Sequence, residues 1–177
     1  MKFFLFIFVA FLTVDSFSQE SSGSGKLTGE YGIFKIAGIK LMPPKDFQLS
    51  TRFEGYAHPG SGSSISVTYS EGRKLAGIAS SFNGPALANN NLRLISQENV
   101  ELKGNIPGLF IVTQTTVVSN DTAMQPMDFE RIMLFFDTSS GTVCINANFP
   151  ANMHSLLFDV MKECLFTAEI LTDNGNN

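Results

Sequence analysis

Two histidines and two cysteines are all the nitrogen and sulfur ligands the chain's side chains offer for metal or thiol chemistry, and neither pair has ligand spacing. His58 and His154 stand far apart, and no Cys-x-x-Cys or His-x-x-x-His pattern occurs, so no local zinc site is encoded. A phosphate-cradling Gly-x-x-x-x-Gly-Lys loop is missing, and so is a dinucleotide fingerprint. Charge is scarce at 16% of residues, the net charge is −4, and no block of like sign appears. Nothing therefore advertises nucleic acid or an anionic membrane as a partner. After the N-terminal segment no apolar run approaches the roughly 20 residues that a spanning helix needs. Tryptophan is absent and phenylalanine occurs 17 times, which predicts a phenylalanine-rich core.

The N-terminus, "MKFFLFIFVAFLTVDSFSQ", reads as a secretory leader. Lys2 supplies the positive region, Phe3 to Val14 the short apolar one, and Ser16 and Ser18 the small residues before a cut. Asp15 closes the apolar run, so cleavage after Ser18 is expected rather than anchoring, with no membrane span left once residues 1–18 are gone. Residues 19–29 are rich in glycine and serine and read as a flexible lead-in. Residues 30–170 form one domain, and 171–177 a frayed polar tail. The expected location is outside the cytoplasm, periplasmic or secreted. Cofactors are expected to be none.

Within the domain, "YGIFKIAGIKLMPP" predicts two short strands stopped by Pro43 and Pro44, which cannot donate to a ladder. "FQLSTRFEGYA" alternates as one strand, with Phe47, Leu49, Thr51, Phe53 and Gly55 on one face and Gln48, Ser50, Arg52, Glu54 and Tyr56 on the other. "SSISVTY" follows the "HPGSG" turn, and the two make a hairpin. "RKLAGIASSFN" carries Leu75, Ile78 and Phe82 at helical spacing, ended by Gly84 and Pro85.

Four more strands are expected in "NVELKG", "GLFIVTQTTVV", "FERIMLFFDT" and "TVCINANF", the last two joined by a turn at "DTSSG". "ANMHSLLFDVMKECLFTAEI" is an amphipathic helix whose stripe is Met153, Leu156, Leu157, Val160, Met161 and Cys164. Tight turns imply antiparallel pairing. Residues 131–136 and 142–149 are apolar on both faces or nearly so, which predicts cover on both sides of the sheet. The fold class is α+β, an antiparallel β-sheet flanked by helices in an α/β/α sandwich.

Chemistry has few places to sit. His58 lies beside Ser61, Ser63 and Ser64, but the Gly-x-Ser-x-Gly elbow is absent, because Gly60 is followed two places on by Gly62. The bland reading is a hairpin tip of small polar residues. No catalytic, cofactor-binding or metal-binding residue is assigned, and the chain is read as not an enzyme. Asn146, Asn148, Gln114 and Arg131 could instead gather on one sheet face as a polar binding patch, or be simply solvated.

Export would permit a Cys144–Cys164 disulfide, whose strand and helix heights agree. Facing opposes it, since Cys144 shares its strand face with Asn146 and Asn148 while Cys164 belongs to the helix stripe. The alternative is two buried free thiols.

The order of these pieces, over roughly residues 38–168, resembles the PsbP-like family, which includes PsbP, Ran-binding and DcrB-type proteins. The resemblance rests on "PPKDFQLSTRFEGYAHPGSGSSISVTY", "ISQENVELKGNIPGLFIVTQ" and "FERIMLFFDTSSGTVCINANFP" leading into the final helix. It implies the sandwich and an interaction role rather than catalysis. Photosystem II subunits and a nuclear Ran-binding branch fit the leader poorly, so it implies the bacterial exported branch. The expected function is an accessory or binding protein acting on a protein or envelope partner. The alternatives are a hydrolase whose site is assembled across the fold and a small-ligand carrier.

Overall fold

A computed structural model describes residues 26–80, 82, 84–118 and 125–171. The leader at 1–18, most of the lead-in and the tail beyond 171 lie outside the described residues. Inside them, Leu27 makes an antiparallel bridge to Pro44, so residues 26–29 run against the domain.

Seven strands form the main antiparallel sheet, in the order β3(Gln48–Leu49), β4(Gly55–Ala57), β5(Ser64–Glu71), β9(Gly141–Pro150), β8(Met127–Asp137), β7(Ile106–Val117) and β6(Arg93–Leu102). A small sheet holds β1(Gly32–Phe34), β2(Ile39–Leu41) and β10(Glu169–Ile170), with β2 in the centre. The helices are α1(Leu75–Ala79), α2(Gly84–Ala88) and α3(His154–Phe166), the last entered through a 3-10 turn at Ala151–Met153.

The two-faced apolarity of β8 and β9 has the expected cause. Ile132, Leu134 and Phe136 alternate with Met133 and Phe135, so the first set meets one layer and the second set another. The first face packs with Ile145, Ala147 and Phe149 of β9 under Met161, Cys164 and Leu165 of α3, and the small sheet adds Phe34, Ile39 and Leu41. The second face packs Leu109, Ile111, Met133 and Phe135 under Leu75, Ile78 and Ala79 of α1 and under Phe82. Each fully buried aliphatic or phenylalanine side chain here contributes on the order of 1.5–3 kcal/mol. The α+β sandwich expected from the sequence is the observed architecture.

Several local expectations are corrected. Residues 47–57 are not one strand: β3 and β4 pair with each other, Gln48 opposite Ala57 and Leu49 opposite Tyr56. The Ser50 hydroxyl accepts the Arg52 N–H at 3.1 Å, a local turn bond that competes with extended pairing, and the Ser50 N–H returns to the Gly55 carbonyl at 2.9 Å. The reversal breaks the alternation, burying Phe47 and Tyr56 while Leu49 is 68% exposed. Gly84 and Pro85 open α2 instead of merely ending the preceding helix, in keeping with the fixed proline φ that suits a first helical turn. Leu156 of the expected helix stripe is 60% exposed, and its place in the core is taken by Leu165.

Candidate functional site

The serine-histidine stretch of the first hairpin is a braced turn. His58 Nδ1 accepts the backbone N–H groups of Gly60 at 3.2 Å and Ser61 at 3.1 Å. The Ser61 hydroxyl donates to Ser63 Oγ at 2.8 Å, and the ring tilts against Phe47. The nitrogen that could take a serine proton is thus engaged by the backbone, and among the described residues no carboxylate bonds this imidazole. Nor, among the described residues, do three His, Cys, Asp or Glu side chains converge.

The expected polar patch forms in part. Strand register puts Ser64, Asn148, Arg131 and Thr113 in one row across β5, β9, β8 and β7, on the second face of the sheet. Ser66 and Asn146 form the neighbouring row. Arg131 Nε donates to Asn148 Oδ1 at 2.7 Å. Thr113 is fully buried and donates its hydroxyl to the Arg131 carbonyl at 3.4 Å.

Gln114 does not join them. It lies opposite Glu130, one residue out of phase with Arg131, and therefore faces the other way.

Two features make this row more than a solvated surface. The Arg131 guanidinium is withdrawn far enough from water that burial lowers its pKa, yet arginine keeps its charge. Among the described residues no carboxylate forms an ion pair with it. Nearby, Asn146 Oδ1 is buried with no hydrogen-bond partner among the described residues, and Nδ2 reaches Ser66 Oγ only at 3.5 Å. Either orientation of that amide leaves one of its polar atoms unanswered. The row thus holds a half-buried guanidinium whose outer donors reach the surface and, beside it, a buried amide atom left unanswered among the described residues.

On the opposite face, Gln114 belongs to a second polar group. Arg93 Nη2 donates to Gln114 Oε1, and the Thr116 hydroxyl donates to Asp128 at 2.6 Å. With Asn91 and Thr115 these residues line an open groove of about 340 Å³ at the ends of β6, β7 and β8. Beside it, His154 Nδ1 lies 2.7 Å from Glu130 Oε2, and the imidazole stacks on Phe158. The histidine is 55% exposed and the carboxylate 17%. Sequence reasoning missed this pair. The first residue of α3 meets mid-strand β8, and no local spacing announces such a contact.

By sequence, no family model matches the chain and neither does any curated protein. By structure it is similar to cyanobacterial PsbP (CyanoP) from Synechocystis sp. PCC 6803, with a TM-score of 0.60 at 10% identity over 86% of this chain and 97% of that one. It is also similar to the Ran-binding protein Mog1p of Saccharomyces cerevisiae, with a TM-score of 0.54 at 10% identity over 84% of this chain and 97% of that one. At such identity the likeness lies in strand order and layer packing, and on that ground the chain has the PsbP/Mog1-like fold.

Proposed function

We propose that the protein is an exported, non-enzymatic binding protein of a bacterial envelope, working through the polar row of the main sheet on a protein partner. The observation that carries this reading is the Arg131 guanidinium, held by Asn148 alone and without a counter-ion among the described residues. A charge kept in this state costs stability, and the cost makes sense where a partner supplies the missing contact. A Ran-binding protein with the same fold gives precedent for an interaction role, though not for this partner.

Affinity capture with the full chain from envelope and secreted fractions tests the reading. A reproducible partner is expected, retained by wild type and released by substitutions in the polar row. Recovery of the bait alone would overturn it. Intact-mass measurement of the exported protein tests the leader, with loss of residues 1–18 expected.

One observation favours a different class. The His154–Glu130 contact orients an imidazole beside a polar groove, as a proton-transfer site requires. Turnover of ester, phosphoester or peptide substrates by wild type, abolished in His154→Gln, would establish a hydrolase. The binding reading expects no such turnover.

A further inference from the structure

We propose that Arg131 receives a carboxylate from an acidic segment of a partner polypeptide. This rests on the reading of the chain as a binding protein and names the chemistry of what it binds. Arginine presents five N–H donors in a planar fork, and here the Nε donor bonds Asn148, turning the guanidinium into a fixed orientation. The outer donors remain for a planar acceptor, and carboxylate is the acceptor whose two oxygens match them.

Among the described residues, the polar neighbours along these two rows are Ser64, Ser66, Thr113, Asn146 and Asn148, all neutral. One cation among neutral groups balances one negative charge. A phosphate dianion would call for further lysines or arginines.

The test uses the full-length chain, labelled so that the Arg131 Nε–H and the side-chain amides of Asn146 and Asn148 are followed by NMR. The probe is a Gly-Glu-Gly peptide blocked at both ends, with Gly-Gln-Gly and inorganic phosphate as separate arms. Saturable shifts at the Arg131 Nε–H and the Asn148 side-chain amide with the glutamate peptide, and none with the glutamine peptide, are expected. Arg131→Met and Arg131→Lys should each weaken that binding by about tenfold or more. The lysine variant keeps the charge and loses the fork. Equal response to the glutamine peptide, tighter response to phosphate, or no response to any probe would each overturn the proposal. The wild-type titration stands even where a variant fails to fold. A partner captured equally well by wild type and Arg131→Met, yet released by a bulky substitution at Ser64, would sink this inference while leaving the binding reading intact. Loss of every partner with the titration positive would do the reverse.

Discussion

Cys144 and Cys164 stand on opposite faces of the main sheet, Cys144 with the α1 cluster and Cys164 with the α3 core. The sheet lies between them and forbids a bridge without refolding. Unfolding the protein without reductant should therefore release two titratable thiols, and a count of none would refute the packing. Burial pushes the Cys144 thiol up to about 12 and the Cys164 thiol upward as well. The native protein should accordingly resist thiol reagents at neutral pH, the fully buried Cys164 more than the half-buried Cys144.

Glu169 ties β10 into the small sheet. Its two oxygens lie 2.9 Å from Lys40 Nζ and 2.7 Å from Lys103 Nζ, and the Tyr31 hydroxyl donates to it at 3.2 Å. The hydrogen bonds from Lys103 and then Lys40 hold its carboxyl down at about 2. A folded value below the unfolded one, which is about 4.3 for glutamate, stabilises the fold above that pH. The contribution fades as pH falls from about 4 to about 2. Glu169→Gln should flatten the pH dependence of the urea midpoint across this window. Because the cluster is exposed, the difference should be small and shrink with salt. Parallel wild-type and variant profiles would refute it.

Helix α1 has no cap from its own sequence, since Lys74 occupies the cap position. Asp137, at the end of β8, accepts the Leu75 N–H at 2.8 Å in its place, and the buried Thr142 hydroxyl lies 2.6 Å from the same oxygen. Asp137→Ala should cost about 1–2 kcal/mol, a cap's usual worth, and speed hydrogen exchange at Leu75. Unchanged exchange there would show that the carboxylate does not hold the helix.

Gly55 sits tight against the backbone of β5. A Cβ at this position would fall 1.9 Å from the Ile65 carbonyl oxygen, and the backbone φ is +144°. Gly55→Ala should lower stability by about 1–3 kcal/mol through backbone strain, measured by denaturant unfolding. Gly77 in α1 has open space around its Cα. Gly77→Ala should stabilise by up to about 1 kcal/mol, the helix propensity difference. The opposite signs separate local crowding from general sensitivity to alanine.

Much of the architecture can be read from the chain itself. Apolar residues on both faces of 131–136 and 142–149 require two covering layers whatever the topology, and the helix periodicity near the C-terminus supplies one of them. Pro43 and Pro44 stop β2, and "DTSSG" closes the β8–β9 turn, because their backbone preferences act locally.

Register is not local, and there the sequence falls short. Whether Gln114 or Thr113 stands beside Arg131 depends on how β7 pairs with β8, and a one-residue slip would exchange their faces. The His154–Glu130 contact depends likewise on where α3 crosses β8. The reversal within 47–57 shows the same limit. Its residues alternate well enough for one strand, and the turn bonds at Ser50 with the pairing of β3 to β4 fold them into two. Composition and periodicity thus determined the layers of this protein. The tertiary structure alone placed Arg131 beside Asn148 in a polar row, with no ion pair among the described residues, because cross-strand neighbours are chosen by long-range pairing.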